Sequence, residues 1–219
     1  PDAKYAGLVA SYDFDDAHGF DKSGHAIHPL APPPDVGPGH DGRGQSAHFS
    51  GIDSFKIPHV STFDNMQQMT ISFWIYLLAE PTDSFRVITR KGDTTEDLTP
   101  TIMLLSDSNK IHALVSSTDP SKHGVDSHTA IPVRRWTHVA VALKYNVMTI
   151  FINGVKDNDA TLTGDVLLNT GSWHIGKDNF LPGTAMYLDN LKIYSHALDE
   201  AALQVEASSA LPGVGPNFL

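Results

Sequence analysis

The sequence predicts an all-β protein, two antiparallel sheets packed as a sandwich with one short helix near the C-terminus. Three observations carry this. The stretch RRWTHVAVALKYNVMTIFINGVK, from Arg134 to Lys156, alternates side chains with a period of two and reads as a meander of consecutive strands. About a dozen short segments of this kind recur along the chain, separated by Gly, Pro, Asn and Asp, which is the spacing of a sandwich rather than of βαβ units. Only one segment, Ser195 to Ala207, has a persuasive helical pattern.

Taken in order, Leu8 to Phe14 is a first strand, with Leu8, Ala10, Tyr12 and Phe14 on one face. Asp15 to Gly24 is a turn region. From Pro29 to Gly44 the chain is dense in Pro and Gly, so it is expected as an ordered surface loop or extended strap. Gln45 to Phe49 and Ser54 to Ile57 flank Gly51 and read as a short hairpin. Met69 to Leu78 is the most apolar segment and is expected as a central strand buried on both sides. Phe85 to Arg90 and Ile102 to Leu105 are further strands around a polar insertion, Gly92 to Pro100, and Ile111 to Ser116 pairs back across Asp107-Ser108-Asn109. In the meander, Trp136, His138, Ala140 and Ala142 share one face, and Asn153-Gly154 supplies the positive φ angles of a tight turn. Trp173 to Gly176 and Gly183 to Tyr194 complete the strands. The helix that follows has Asp199-Glu200 at its start, where acidic groups suit the helix dipole, and its Ala and Leu face is expected over the sandwich edge.

Composition narrows the function. The chain of 219 residues with 41% hydrophobic content is long enough for one proper core. Residues 1–210 are therefore read as one domain and 211–219 as a linker or tail. A formal charge of −10 argues against nucleic acid and anionic membrane as partners. No apolar run approaches the ~20 residues of a membrane helix, so no membrane insertion is expected. With no cysteine there is neither a disulfide framework nor a thiolate metal site. Pro1 is not followed by a signal-peptide pattern, so any targeting segment is expected outside this chain. Twelve histidines are scattered, and His25 with His28, the closest pair, lack a third ligand at an interpretable spacing.

Five pieces occur in an order that resembles a known group: LVASYDF with DKSG, QSAHFSG, MTISFWIYL, RRWTHVAVAL with MTIFINGVK, and AMYLDNLKIYSHALDEAAL. They are similar to the laminin-G-like, or concanavalin-A-like, jelly-roll domains of the LamG and pentraxin group, and they span nearly the whole chain. The resemblance implies a structural calcium, with Asp189 as side-chain ligand and Asp13 and Gly51 contributing oxygen. Asp189 also stands in an otherwise apolar strand, where a lone carboxylate is costly unless something pairs with it. The 21 aspartates, against four glutamates, suit both turns and calcium.

The same jelly roll carries glycoside hydrolases and lyases, yet no strand here offers the alternating acids such enzymes need. Nor is there a Gly-x-Ser-x-Gly elbow, a His-Glu-x-x-His pair or a phosphate loop. A non-catalytic recognition module is therefore expected, lectin-like, with Arg90, Lys91, His112 and Trp173 as candidate ligand-binding residues. Trp74 and Trp136 lie in apolar strands and are read as core packing, whereas Trp173 is left open between core and sugar platform. The alternative is an adhesion or assembly domain that binds a protein, within a larger secreted or cell-surface chain. A polysaccharide-active hydrolase or lyase is the remaining one.

Overall fold

The structure, a computed structural model, describes residues 6–119, 121 and 123–208. Among these, the strands are β1 (Leu8–Tyr12), β2 (Val36–Pro38), β3 (Gln45–Ser50), β4 (Ser54–Ile57), β5 (Met69–Leu77), β6 (Arg86–Lys91) and β7 (Thr101–Leu104). They continue with β8 (Lys110–Leu114), β9 (Gly124–Ala130), β10 (Trp136–Lys144), β11 (Val147–Ile152), β12 (Val155–Thr161), β13 (Trp173–Gly176) and β14 (Ala185–Tyr194). One helix follows, α1 (Glu200–Ala207).

The larger sheet runs β12-β11-β10-β5-β14-β3-β2, with β1 pairing on β14 beyond the end of β3. The smaller runs β4-β13-β6-β7-β8-β9, and every strand pair within the two sheets is antiparallel. Alternation explains how they pack. In β5, Ile71, Phe73, Ile75 and Leu77 point into the main core, where they meet Ile102, Leu104, Ile111 and Trp173 from the smaller sheet. The other half of β5, Thr70, Ser72, Trp74 and Tyr76, is buried as well. The reading of this apolar run as a central strand buried on both faces therefore holds, for a reason found on the outer face.

That reason is α1. Asp199 caps it, accepting a hydrogen bond from the Ala202 N–H at 2.9 Å. Leu203 then packs on Ala140, Ala142 and Phe151, so the helix lies on the outer face of the larger sheet rather than at its edge. The two alanines are small enough for a helix to sit on the sheet. Gly154, with φ +77°, closes the β11–β12 hairpin, and a Cβ there would meet the Gln204 Cα at 2.7 Å. One glycine thus serves the turn and the helix contact. The segment before α1 is tied to β5: Leu198 N donates to Thr70 Oγ1 at 2.8 Å, which donates to the His196 carbonyl at 2.9 Å. The helix consequently starts at Glu200, five residues later than the sequence pattern begins. Leu203→Ala is expected to cost about 3 kcal/mol in denaturant unfolding, because its side chain is fully buried; a loss below about 1 kcal/mol would mean the helix is not docked.

One further expectation is corrected. The segments around Gly51 do not form a hairpin: β3 belongs to the larger sheet and β4 to the smaller. Ala47 and Phe49 on one side and Phe55 and Ile57 on the other all point inward, so the strands face each other across the core instead of pairing. Strand β9, GVDSHTA, was not anticipated, because its outward positions are polar and exposed and give no apolar signal. The Pro-rich strap is extended as expected, with β2 as its paired part. The proposed tail, 211–219, lies outside the described residues.

Candidate functional site

The four residues nominated for ligand binding all lie in the smaller sheet, but the fold does not bring them to one surface. Trp173 is 1% exposed and packs edge-on against Phe63 in the core. Lys91 is its register partner, so it shares the inward face. Its ammonium donates to the Asn169 carbonyl and to Asn169 Oδ1, and burial pushes it down to about 8 despite Asp64, Asp97 and Asp93 nearby. Arg90 faces outward beneath the Gly92–Pro100 insertion. Its guanidinium donates to the carbonyls of Asp97, Thr94 and Thr95 and to Asp178 Oδ2 at 3.1 Å, with Phe180 stacked on it. It pins the insertion to the sheet. His112, two strands away, pairs with Asp126 and lies near the Phe85 ring.

Nor do the three nominated calcium ligands form a set. The register sets Ser50 opposite Ala185, which places Gly51 roughly 15 Å along the strand from Asp189. The Gly51 carbonyl accepts the Gly183 N–H at 2.9 Å. Asp13 follows β1 next to Asn190 in register, and its Oδ1 accepts the Asp15 N–H. Asp189 is buried, and its carboxylate is engaged by protein donors: His40 N at 2.9 Å and His40 Nδ1 at 2.7 Å on Oδ2, and Asn190 N at 2.7 Å on Oδ1. Among the described residues no group of three His, Cys, Asp or Glu side chains converges as a metal site would require. The Asp189 carboxylate is thus satisfied within the protein by His40 and Asn190. Asp189→Ala is expected to lower the melting temperature equally in calcium and in chelator. A calcium-dependent rise in the parent, absent in the variant, would instead establish Asp189 as a metal ligand.

His40, held in place by Asp189, forms one wall of a pocket on the outer face of the larger sheet. A cavity of about 210 Å³ is lined by His40, Asp41, Trp74, His138, Asn190, Lys192, Val205 and Glu206. Five stretches of chain supply it. The strap brings His40, whose imidazole stacks on the Trp74 indole with centroids 4.8 Å apart and planes 17° from parallel. β10 brings His138, edge-on to the same indole at 5.3 Å. In β14 the register slips between Asp189 and Lys192, a bulge at which Asn190 adopts φ +49°. The bulge turns Asn190 and Lys192 toward the cavity while Leu188 and Leu191 both stay in the core. Helix α1 closes the far side with Val205 and Glu206.

Glu206 gathers the polar groups. Its carboxylate accepts from Ser72 Oγ at 2.7 Å, Lys192 Nζ at 3.1 Å and the Tyr194 hydroxyl, with the neutral His138 imidazole facing it through Nε2 at 3.8 Å. Burial alone would raise its pKa, but His138, Lys192, Tyr194 and Ser72 together hold it well below the ordinary glutamate range. Asp189 is moved the other way: burial raises it against the opposing His40 contacts. Burial also lowers His138, which keeps its imidazole neutral at pH 7, and its Nδ1 makes no hydrogen bond to the described protein groups. Next to the pocket, Trp74, Tyr76 and Trp136 form a separate aromatic cluster, flanked by Tyr187. Both tryptophans are buried as the sequence implied, but on the outer face instead of in the main core.

Sequence reasoning missed this site, though two signals for it stand in the chain. Alternation puts His138 on the same face as Trp136, and in MYLDNLKIY the inward leucines 188 and 191 are three apart, so Asp189-Asn190 breaks the period.

The fold and this outer-face pocket define a class before any comparison: a jelly-roll sandwich with a polar, aromatic-walled recess. Residues 49–204 match the laminin G family described as the concanavalin A-like lectin/glucanases superfamily, and the chain belongs to it. A comparison with curated protein sequences returns no match. Among solved structures, it is similar to domain 4 of AbnA, a GH43 extracellular arabinanase from Geobacillus stearothermophilus solved with arabinotriose. That match has a TM-score of 0.69 and 22% identity, and covers 92% of this chain and 98% of the other. The binding domain of Paraclostridial Mosquitocidal Protein 1 matches with TM-score 0.76 and 16% identity over 94% of this chain and 53% of that one. The binding domain of botulinum neurotoxin DC, solved with rat synaptotagmin II, matches with TM-score 0.71 and 14% identity over 94% and 52%. The chain thus spans about half of either toxin domain. Identities this low establish the shared fold alone. Among the described residues no helix is long and apolar enough to cross a membrane.

Proposed function

We propose that the protein is a non-catalytic carbohydrate-binding module that holds a sugar in the outer-face pocket of the larger sheet. The observation that carries this reading is the pocket itself: an indole with two imidazoles beside it, and Asn190, Asp41, Lys192 and Glu206 around one cavity. Sugar hydroxyls both donate and accept, and the recess offers them fixed polar groups, while Trp74, buried beneath the His40 ring, seats that ring in the wall. That domain 4 of the arabinanase was solved with arabinotriose supports a glycan as ligand.

The two buried carboxylates are poor candidates for hydrolysis. Glu206 stays ionised and Asp189 is held by His40 and Asn190, so neither has the open, proton-carrying role of a glycosidase acid. Protein binding is the second reading. It gains from the burial of Trp173, Tyr12, Tyr76 and Tyr194, which leaves Tyr145, 68% exposed, as a solvent-facing aromatic. A place in a larger extracellular or cell-surface chain fits the same relatives, one of which is a domain of an extracellular enzyme. The test is a glycan array on the chain, repeated with Asn190→Ala. Binding in the parent that falls about tenfold in the variant is expected, since an amide that bonds ligand hydroxyls contributes about 1.4 kcal/mol. A blank array for the parent would turn the search to protein partners.

A further inference from the structure

The charges around the pocket deepen this reading. Two carboxylates, Asp41 and Glu206, line the cavity, and Asp189 stands directly behind His40. Lys192 is the lysine on the wall, and its ammonium lies 3.1 Å from Glu206 Oε1. His138 is neutral near pH 7 because burial lowers it. His40 is engaged by Asp189 at 2.7 Å, so outside that pair two carboxylates face one ammonium already paired to one of them. A ligand carboxylate entering this recess would meet a net negative wall at short range, in a partly water-excluded site where such repulsion is weakly screened. Hydroxyl groups, by contrast, donate to Asp41 and accept from the Asn190 amide at no charge penalty.

We infer that the pocket selects uncharged sugars and turns away sugar acids, such as sialic and uronic acids, through the Asp41 and Glu206 carboxylates. The inference rests on the glycan reading above. The experiment is titration calorimetry on the whole chain at pH 7 with matched pairs. One pair is a galactose-ended oligosaccharide and its sialylated form, the other an arabino-oligosaccharide and a galacturono-oligosaccharide of equal length. The neutral member of a pair is expected to bind at least about tenfold tighter, and Asp41→Asn to narrow that gap several-fold. An acidic member that binds as tightly as its neutral partner overturns the selectivity while leaving the glycan reading standing. A gap that Asp41→Asn and Glu206→Gln both leave unchanged overturns the charge argument. If neither member of any pair binds, the glycan reading fails and the selectivity falls with it.

Discussion

Replacing Glu206 by alanine is expected to cost about 3 kcal/mol of stability at pH 7, more than most single substitutions do. The removed carboxylate leaves Ser72, Tyr194 and Lys192 without their acceptor in a buried place. Lys192 is the worst affected, although its side chain is 18% exposed and recovers some hydration, which keeps the estimate at the lower end. Glu206→Gln keeps the shape and the neutral bonds and is expected to lose less. The pH dependence follows from the sign of the shift. Glu206 has a folded pKa below its unfolded value of about 4.3, so its contribution is complete above that value and is lost as pH falls toward the folded one. Thermal unfolding at pH 7 and pH 3 should show the parent more stable than Glu206→Gln at neutral pH, with the difference shrinking in acid. A difference that grows in acid would mean that the carboxylate is not ionised in the folded protein.

Trp74→Phe is expected to weaken glycan binding by about 1.4 kcal/mol, roughly tenfold, because it loosens the seat of the His40 ring that lines the cavity. The smaller ring keeps an apolar filler in β5 but withdraws half of the surface on which His40 stacks. Trp74→Ala would confuse the result, since a buried indole lost outright costs about 3–5 kcal/mol of stability. Melting curves for Trp74→Phe should fall by a few degrees at most, while the affinity drops. An unchanged affinity would move the ligand away from this wall.

The pocket's residues show what a single sequence reveals and what it hides. Period-two alternation places β10 and the meander that continues into β11 correctly, because a strand's alternating faces announce themselves. The continuous apolar run of β5 also announces burial on both faces, but not what covers the outer one: His40 of the strap lies on Trp74, and α1, more than a hundred residues later, docks beside it through Leu203 on Ala140 and Ala142. The same limit governs the site. His40 comes from a Pro-rich strap, Trp74 and His138 from neighbouring strands, Asn190 from a bulge and Glu206 from a helix. No local spacing links them. Trp173 and Arg90 were attractive from sequence because an indole and a guanidinium suit sugars. Yet Trp173 is the core's own packing, and the carbonyls of Thr94, Thr95 and Asp97 hold Arg90 to the insertion. Asp189 was rightly singled out as a carboxylate that must have a partner. The partner is His40, 149 residues away in the chain, which only the folded register brings to it.

The most direct test of the outer-face pocket is heteronuclear NMR of the labelled chain titrated with the best sugar from the array. The account predicts shifts that cluster on the Trp74 and Trp136 indoles, on the His40 and His138 imidazoles, and on the amides of Asn190 and α1. Perturbations confined to the smaller sheet, around Arg90, His112 and the Gly92–Pro100 insertion, would contradict it.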